Sequence, residues 1–268
     1  MTLSDLHSFV LGALQGLTEF LPVSSSAHLV IVPWLLGWRD PGLAYDVALH
    51  LGTLVALLIY YRREWRDIAV AIMRPQSGGR DGARARRLFA LLLVASVPGA
   101  LVGLALEKQA ETAFRAPPLI AVTLSLMGVM LLLADRWSPQ KRTIGEITMV
   151  DALVVGFSQA LAIIPGVSRS GATITAARIV GMKREDAANF SFMMATPIIA
   201  GAGLLEAHKV LQAGIDSEVV TGFVAALVFS LIAIAALVRF VRTRTYAPFV
   251  WYRFVLAAVI AGAVFARS

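Results

Sequence analysis

Gln15-Gly16-Leu17-Thr18-Glu19-Phe20-Leu21-Pro22-Val23-Ser24-Ser25-Ser26-Ala27-His28 is the stretch that decides how this chain is read. It sits inside an apolar region, residues 6–37, and interrupts it with a glutamate, a proline, three consecutive serines and a histidine. Each apolar arm is about 10–15 residues, too short for a helix to cross a hydrocarbon core of roughly 30 Å. Two half-length helices around a Pro- and Ser-rich break predict a re-entrant hairpin. Such backbone is tolerated at membrane depth only where protein or a wet cavity covers it.

A second region has the same form. Residues 150–181 are apolar but broken by Pro165-Gly166-Val167-Ser168-Arg169-Ser170-Gly171. A displacement of 144 residues carries Gly12, Gln15, Leu17, Val23, Ser24 and Ser26 onto Gly156, Gln159, Leu161, Val167, Ser168 and Ser170. The prolines, Pro22 and Pro165, miss by one position. The pattern reads as a duplication, with one repeat over about 1–135 and the other over about 145–268, in a single membrane domain spanning 1–268.

Six further segments read as full spans: about 43–61, 88–106, 117–134, 187–205, 219–238 and 248–266. Composition agrees. Of the 268 residues 58% are hydrophobic and 15% charged, against about 45–50% and about 25% in soluble domains, and the mean hydropathy is +0.75. These values exclude a water-soluble enzyme and a disordered chain. The expected fold is an all-α polytopic membrane protein, an inverted-topology repeat of six transmembrane helices plus two re-entrant helical hairpins. The absence of cysteine rules out disulfides and thiolate metal sites.

The net charge of +7 would point to nucleic acid in a soluble protein. Here it is expected in short cytoplasmic loops, with no nucleic-acid partner. Arg62, Arg63, Arg66, Arg74, Arg80, Arg84, Arg86 and Arg87 fall in one connection, 62–87. Placing that loop inside puts Arg136, Lys141, Arg142, Lys183, Arg184, Arg239, Arg242 and Arg244 inside as well. The sparsely basic 107–116 and 206–218 then lie outside. Three spans per half is an odd number, so the second half is inverted. Both termini fall outside, the first hairpin enters from outside, the second from inside, and their tips meet near the midplane.

Polar residues at that depth are expensive and functional by default. Gln15 and Glu19 are four apart and share a helix face. Ser24, Ser25 and Ser26 supply N-cap candidates, and Ser25 and His28 are three apart. Ser168, Arg169, Ser170 and Thr173 open the matching half-helix. Two helix N-termini aim free N–H groups and positive dipole ends at one point, and Arg169 adds a bidentate cation. The assembly suits a phosphate or another polyvalent anion. A carboxylate repels an anion, so Glu19 with His28 is better explained as an acid/base pair or a metal bridge.

These two motifs resemble the signatures of the undecaprenyl-diphosphate phosphatases of the bacitracin-resistance type. The first runs from Gln15 to His28, the second from Pro165 to Thr173, and the similarity covers nearly the whole chain. The resemblance implies a ten-helix inverted repeat in the bacterial cytoplasmic (inner) membrane. It implies hydrolysis of undecaprenyl diphosphate to the monophosphate, recycling the lipid carrier of peptidoglycan synthesis and conferring bacitracin resistance. It also implies a divalent cation, Mg²⁺ or Ca²⁺. The implied site falls on Glu19, Ser25, His28, Arg169 and Thr173, with Ser168 and Gln15 nearby. Position 15 is Gln where some members have Glu, which weakens a two-carboxylate metal site. Ser24, Ser26 and Ser170 are further substrate-binding candidates, and Glu19 is the metal-ligand candidate. His50, inside the first span, reads as a structural hydrogen-bonder lining the cavity.

On this reading Ser25 attacks the terminal phosphorus, His28 takes its proton, and Glu19 binds the metal or orients a water. Direct attack by water, with Ser25 only donating, fits the same residues. The substrate is a lipid diphosphate whose tail lies among membrane lipid, and a homodimer is compatible with the chain. The active-site mouth is expected on the periplasmic or outer face. The alternative function is a polyprenyl-phosphate flippase, because broken helices in inverted repeats also build carriers. A membrane scaffold would explain neither motif.

Overall fold

A computed structural model describes residues 5–39, 42–74 and 79–267. Twelve α-helices occur among them: α1 Asp5–Phe20, α2 Ser25–Leu36, α3 Leu43–Tyr60, α4 Arg62–Met73, α5 Gly79–Ala105, α6 Glu107–Glu111, α7 Pro117–Trp137, α8 Met149–Ala160, α9 Arg169–Ile179, α10 Arg184–Ala213, α11 Ser217–Val241 and α12 Ala247–Arg267. No strand is present among the described residues. Helices α5, α7, α10, α11 and α12 are long and apolar enough to cross a membrane, and α3 with α4 passes only as a bent pair. The fold is therefore an all-α, multi-pass membrane protein.

Local chemistry sets the helix ends. Asp216 Oδ1 accepts from Val219 N at 2.9 Å and caps α11. Thr148 and Asp151 form a capping box on α8. Pro117 opens α7 at its first position, where its missing N–H costs nothing. At Tyr61 the chain turns through 77° into α4. The arginine-rich connection 62–87 is thus mostly helical rather than a loop. In α4 polar and apolar residues alternate with helical periodicity, so Ile68 and Ala71 bury while Arg62, Arg63 and Arg66 stay exposed. Together with the short α6, this adds two helices to the expected ten.

The two breaks produce the hairpins. Helices α1, α2, α8 and α9 have 16, 12, 12 and 11 residues. At 1.5 Å per residue none reaches roughly 30 Å. Their packing partners exchange between the two halves of the chain. Helix α1 packs on α11 as α8 packs on α5, and α3 meets α11 as α10 meets α5. Helix α3 also meets α10, and α7 meets α12.

Glycine makes the first of these contacts possible. A side chain at Gly12 would collide with the Gly222 carbonyl, and one at Gly156 would lie 2.5 Å from the Ala95 carbonyl. These positions are related by the same 144-residue displacement. Near the Arg178 end of α9, Asp135 Oδ1 pairs with Arg184 Nε at 2.6 Å and Arg178 Nε at 3.3 Å. Its Oδ2 accepts from Tyr246 N at 3.0 Å, so one buried carboxylate fastens the second hairpin to α7, α10 and α12.

Gly12→Ala places a methyl against backbone that cannot move aside, so a loss of about 1–3 kcal/mol is expected, as for overpacked cores. Gly262, with nothing within 4 Å of its own added methyl, is the contrasting site. Thermal unfolding in detergent should fall for Gly12→Ala and stay level or rise for Gly262→Ala.

Candidate active site

The breaks adopt the same unusual backbone. Ser24 has φ 75° and Ser168 has φ 72°, and they are the only described non-glycine residues with positive φ. Each is an N-cap: Ser24 Oγ accepts from Ala27 N at 3.4 Å, and Ser168 Oγ accepts from Gly171 N at 3.0 Å. A left-handed serine costs on the order of 1–3 kcal/mol and persists only where its surroundings over-determine it.

The two breaks supply those surroundings for one another. Gly166 N donates to Ser24 Oγ at 3.1 Å, and Ser170 Oγ donates to the Leu21 carbonyl at 3.1 Å. Thr123 Oγ1 of α7 donates to the Pro165 carbonyl at 2.7 Å. A side chain at Gly166, φ 92°, would strike that hydroxyl. Arg253 of α12 closes the junction. It is fully buried and donates to Pro22 O at 3.0 Å, Gly166 O at 2.5 Å, Val167 O at 2.9 Å and Leu124 O at 3.1 Å.

Glu19 lies at the end of α1, 5% exposed, beside this junction. Its Oε1 accepts from Arg169 Nη2 at 2.7 Å. Its Oε2 accepts from Ser25 Oγ at 2.6 Å and from Gln15 Nε2 at 3.0 Å. His50 Nε2 of α3 stands 3.5 Å from the same Oε2. Arg169 Nη1 also donates to the Ser191 carbonyl of α10 at 3.4 Å, and the Thr173 and Ser191 hydroxyls are 2.6 Å apart. Gln15, Glu19, Ser25, Arg169 and Thr173 are thus drawn into one cluster.

Other expected residues take different roles. His28 does not touch Ser25. Its Nδ1 donates to the Ser24 carbonyl at 2.7 Å, and its Nε2 faces the Tyr252 hydroxyl at 2.7 Å. The i and i+3 spacing allows a contact, but Ser25 turns back to the end of α1, and the ring turns to α12. Glu19, not His28, receives the Ser25 hydrogen bond. Ser24, Ser168 and Ser170 are buried, with hydroxyls engaged in caps and cross-ties, while Ser26 is half-buried at 3.3 Å from Ser24. They shape the site instead of lining it, Ser26 excepted.

Ser191, Thr123, Tyr252 and Arg253 belong to the site without standing out in the sequence motifs. For Arg253 a signal exists, since an arginine inside an apolar span marks an intramembrane charge. His50 lies closer to the chemistry than its sequence context implies.

The donor set does not fit a divalent cation held by the protein. Among the described residues no group of three or more His, Cys, Asp or Glu side chains could hold one. Glu19 is the one carboxylate here, its oxygens are occupied by Arg169, Ser25 and Gln15, and position 15 offers an amide. A guanidinium 2.7 Å from that carboxylate occupies the place a cation would need.

Paired half-helices meeting around a Glu19–Ser25–Arg169 cluster define a polytopic membrane protein. The family described as bacitracin resistance protein BacA matches residues 8–259, and the chain belongs to it. Similar proteins include one from Moorella thermoacetica, 49% identical over 263 residues and covering 98% of both chains. One from Pelotomaculum thermopropionicum is 47% identical, covering 96% of both, and one from Pelobacter propionicus is 47% identical, covering 97% of both. All three carry the name undecaprenyl-diphosphatase.

Arg253→Met should unfold the junction, since four buried carbonyls lose their donor, each costing about 1–3 kcal/mol. The check is proteolysis within the two breaks, which should rise far more than for Arg253→Lys, whose ammonium still reaches some of the carbonyls.

Proposed function

We propose that this chain is a membrane-embedded phosphatase that hydrolyses undecaprenyl diphosphate to undecaprenyl phosphate and inorganic phosphate. The observation that carries the mechanism is the Ser25 hydroxyl donating at 2.6 Å to a carboxylate that Arg169 holds at 2.7 Å. A hydroxyl on a fixed carboxylate is a nucleophile beside its base. An arginine at the same carboxylate, near the first turns of α2 and α9, supplies the charge that phosphoryl transfer requires.

The steps follow from the geometry. The terminal phosphate enters against Arg169 and the first-turn N–H groups of α2 and α9. Glu19 Oε2 accepts the Ser25 proton as Oγ bonds the terminal phosphorus. The bridging P–O bond breaks, and the lipid monophosphate leaves with that oxygen. Glu19 loses that first proton to solvent; water then attacks the phosphoserine, Glu19 takes the water's proton and returns it to the departing Ser25 Oγ, and phosphate is released with Ser25 restored. His28 holds the Ser24 carbonyl and so orients the α2 N-terminus. The prenyl tail lies in the bilayer between the spans.

The enzyme works in the bacterial cytoplasmic membrane, with the arginine-rich 62–87 segment inside and the active-site mouth on the outer face. Recycling of the lipid carrier serves peptidoglycan synthesis and underlies the bacitracin resistance after which the family is described. Reporter fusions at the C-terminus should be active only outside the cytoplasm; cytoplasmic activity would reverse the orientation.

Phosphate release by purified protein in detergent tests the chemistry. Ser25→Ala and Glu19→Gln should both lose activity with the fold intact. Retention of most of the rate by Ser25→Ala alone would assign the attack to water. Arg169→Lys keeps charge but loses the fork. A fall of roughly 30- to 1000-fold, about 2–4 kcal/mol in the transition state, is expected. Normal release by all three variants would leave a lipid-phosphate flippase as the better account.

A further inference from the structure

His50 is the titratable group at the site that the mechanism above does not use. Its Nδ1 lies 2.7 Å from the Asp46 carbonyl, one turn earlier on α3. A carbonyl only accepts, so Nδ1 carries the hydrogen and the neutral ring presents the bare Nε2 lone pair. That lone pair faces Glu19 Oε2 at 3.5 Å, the oxygen to which Ser25 donates. Two acceptors face one another with room for a proton between them. A third of the His50 side chain is exposed, whereas Glu19 is buried.

From this arrangement we infer that His50 is the proton outlet of the active site, a relay residue acting through Glu19. The inference rests on the phosphatase reading. When Ser25 Oγ bonds phosphorus, its proton passes to Glu19 Oε2. The same proton then moves to His50 Nε2, giving an imidazolium whose Nδ1–H stays on the Asp46 carbonyl. Glu19 is again a carboxylate, ready to take a proton from the water that attacks the phosphoserine. His50 returns its proton to solvent at its exposed edge. In the second half-reaction Glu19 hands the water's proton to the departing Ser25 Oγ, so one proton leaves through His50 per turnover, and nothing is oxidised or reduced.

The charged groups around the ring agree with a transient cation. Glu19 faces it from α1, and Arg169 of α9 lies beyond Glu19. Asp46 of its own helix pairs with Arg115 at 3.7 Å. Among the described residues no ion pair joins His50 to α10 or α11. Arg169 approaches Glu19 at Oε1, whereas His50 faces Oε2, the oxygen that receives the serine proton. The arrangement differs from that of His28. Both rings donate through Nδ1 to a carbonyl four residues back, but His28 Nε2 meets a tyrosine hydroxyl, and only His50 meets a carboxylate.

The test is phosphate release from undecaprenyl diphosphate by His50→Gln and His50→Ala in detergent. Gln can still donate to the Asp46 carbonyl but cannot carry a proton. A fall in kcat on the order of 10²-fold with KM unchanged is expected. Added imidazole should rescue His50→Ala. The ratio of rates with and without imidazole on one preparation is independent of the folded fraction. Wild-type kcat in His50→Gln, or no imidazole rescue of a slowed His50→Ala, would overturn the relay. Failure of the wild-type protein itself to release phosphate would instead overturn the phosphatase reading.

Discussion

Backbone polar groups at membrane depth must find partners within the protein, and the organisation of this molecule follows from that constraint. Each break frees carbonyls and N–H groups that a continuous helix would have bonded. Arg253 takes up Pro22 O from one break and Gly166 O and Val167 O from the other. Gly166 N and the Ser170 hydroxyl cross between the breaks to Ser24 and Leu21. Neither hairpin could be buried without the other. The left-handed conformations of Ser24 and Ser168 are maintained by this mutual satisfaction.

The active site inherits that dependence. Glu19 and Ser25 come from the first break and Arg169 from the second, 150 residues away in sequence from Glu19. A carboxylate beside a phosphate site is electrostatically costly, and a buried arginine alone equally so. Each makes the other tolerable before substrate arrives. On the proposed mechanism an incoming diphosphate competes with Glu19 for the guanidinium and leaves the carboxylate freer to accept the serine proton, which would couple anion binding to activation of the nucleophile through one ion pair.

The two halves differ in sequence within this frame. The 144-residue displacement carries Ser24 to Ser168 and Gln15 to Gln159, but Glu19 to Ile163 and Ser25 to Arg169. Backbone capping is retained in both breaks because both must begin a helix. On the proposed mechanism the chemistry is divided, with base and nucleophile on one side and the cation on the other, so that an anion held between these unlike partners would have a defined reacting end.

Composition, span lengths and the two interrupted apolar regions are enough to read an all-α polytopic membrane protein, because helices and their breaks are governed by local rules of length, hydropathy and proline placement. Glu19, Ser25 and Arg169 are legible for the same reason, since polar groups in apolar sequence are costly wherever the chain goes. The helical character of 62–73 is less visible beneath its charge. Partnership is not local at all. Sequence spacing allowed Ser25 to meet His28, yet side-chain direction sent Ser25 to Glu19 and His28 to Tyr252. His50, Ser191 and Arg253 reach the site from α3, α10 and α12 only because those helices pack around both hairpins. The sequence by itself determined which groups had to be satisfied within the membrane. The tertiary structure alone decided which partners satisfy them, because hydrogen bonds and ion pairs depend on distances of a few ångströms between segments far apart in the chain.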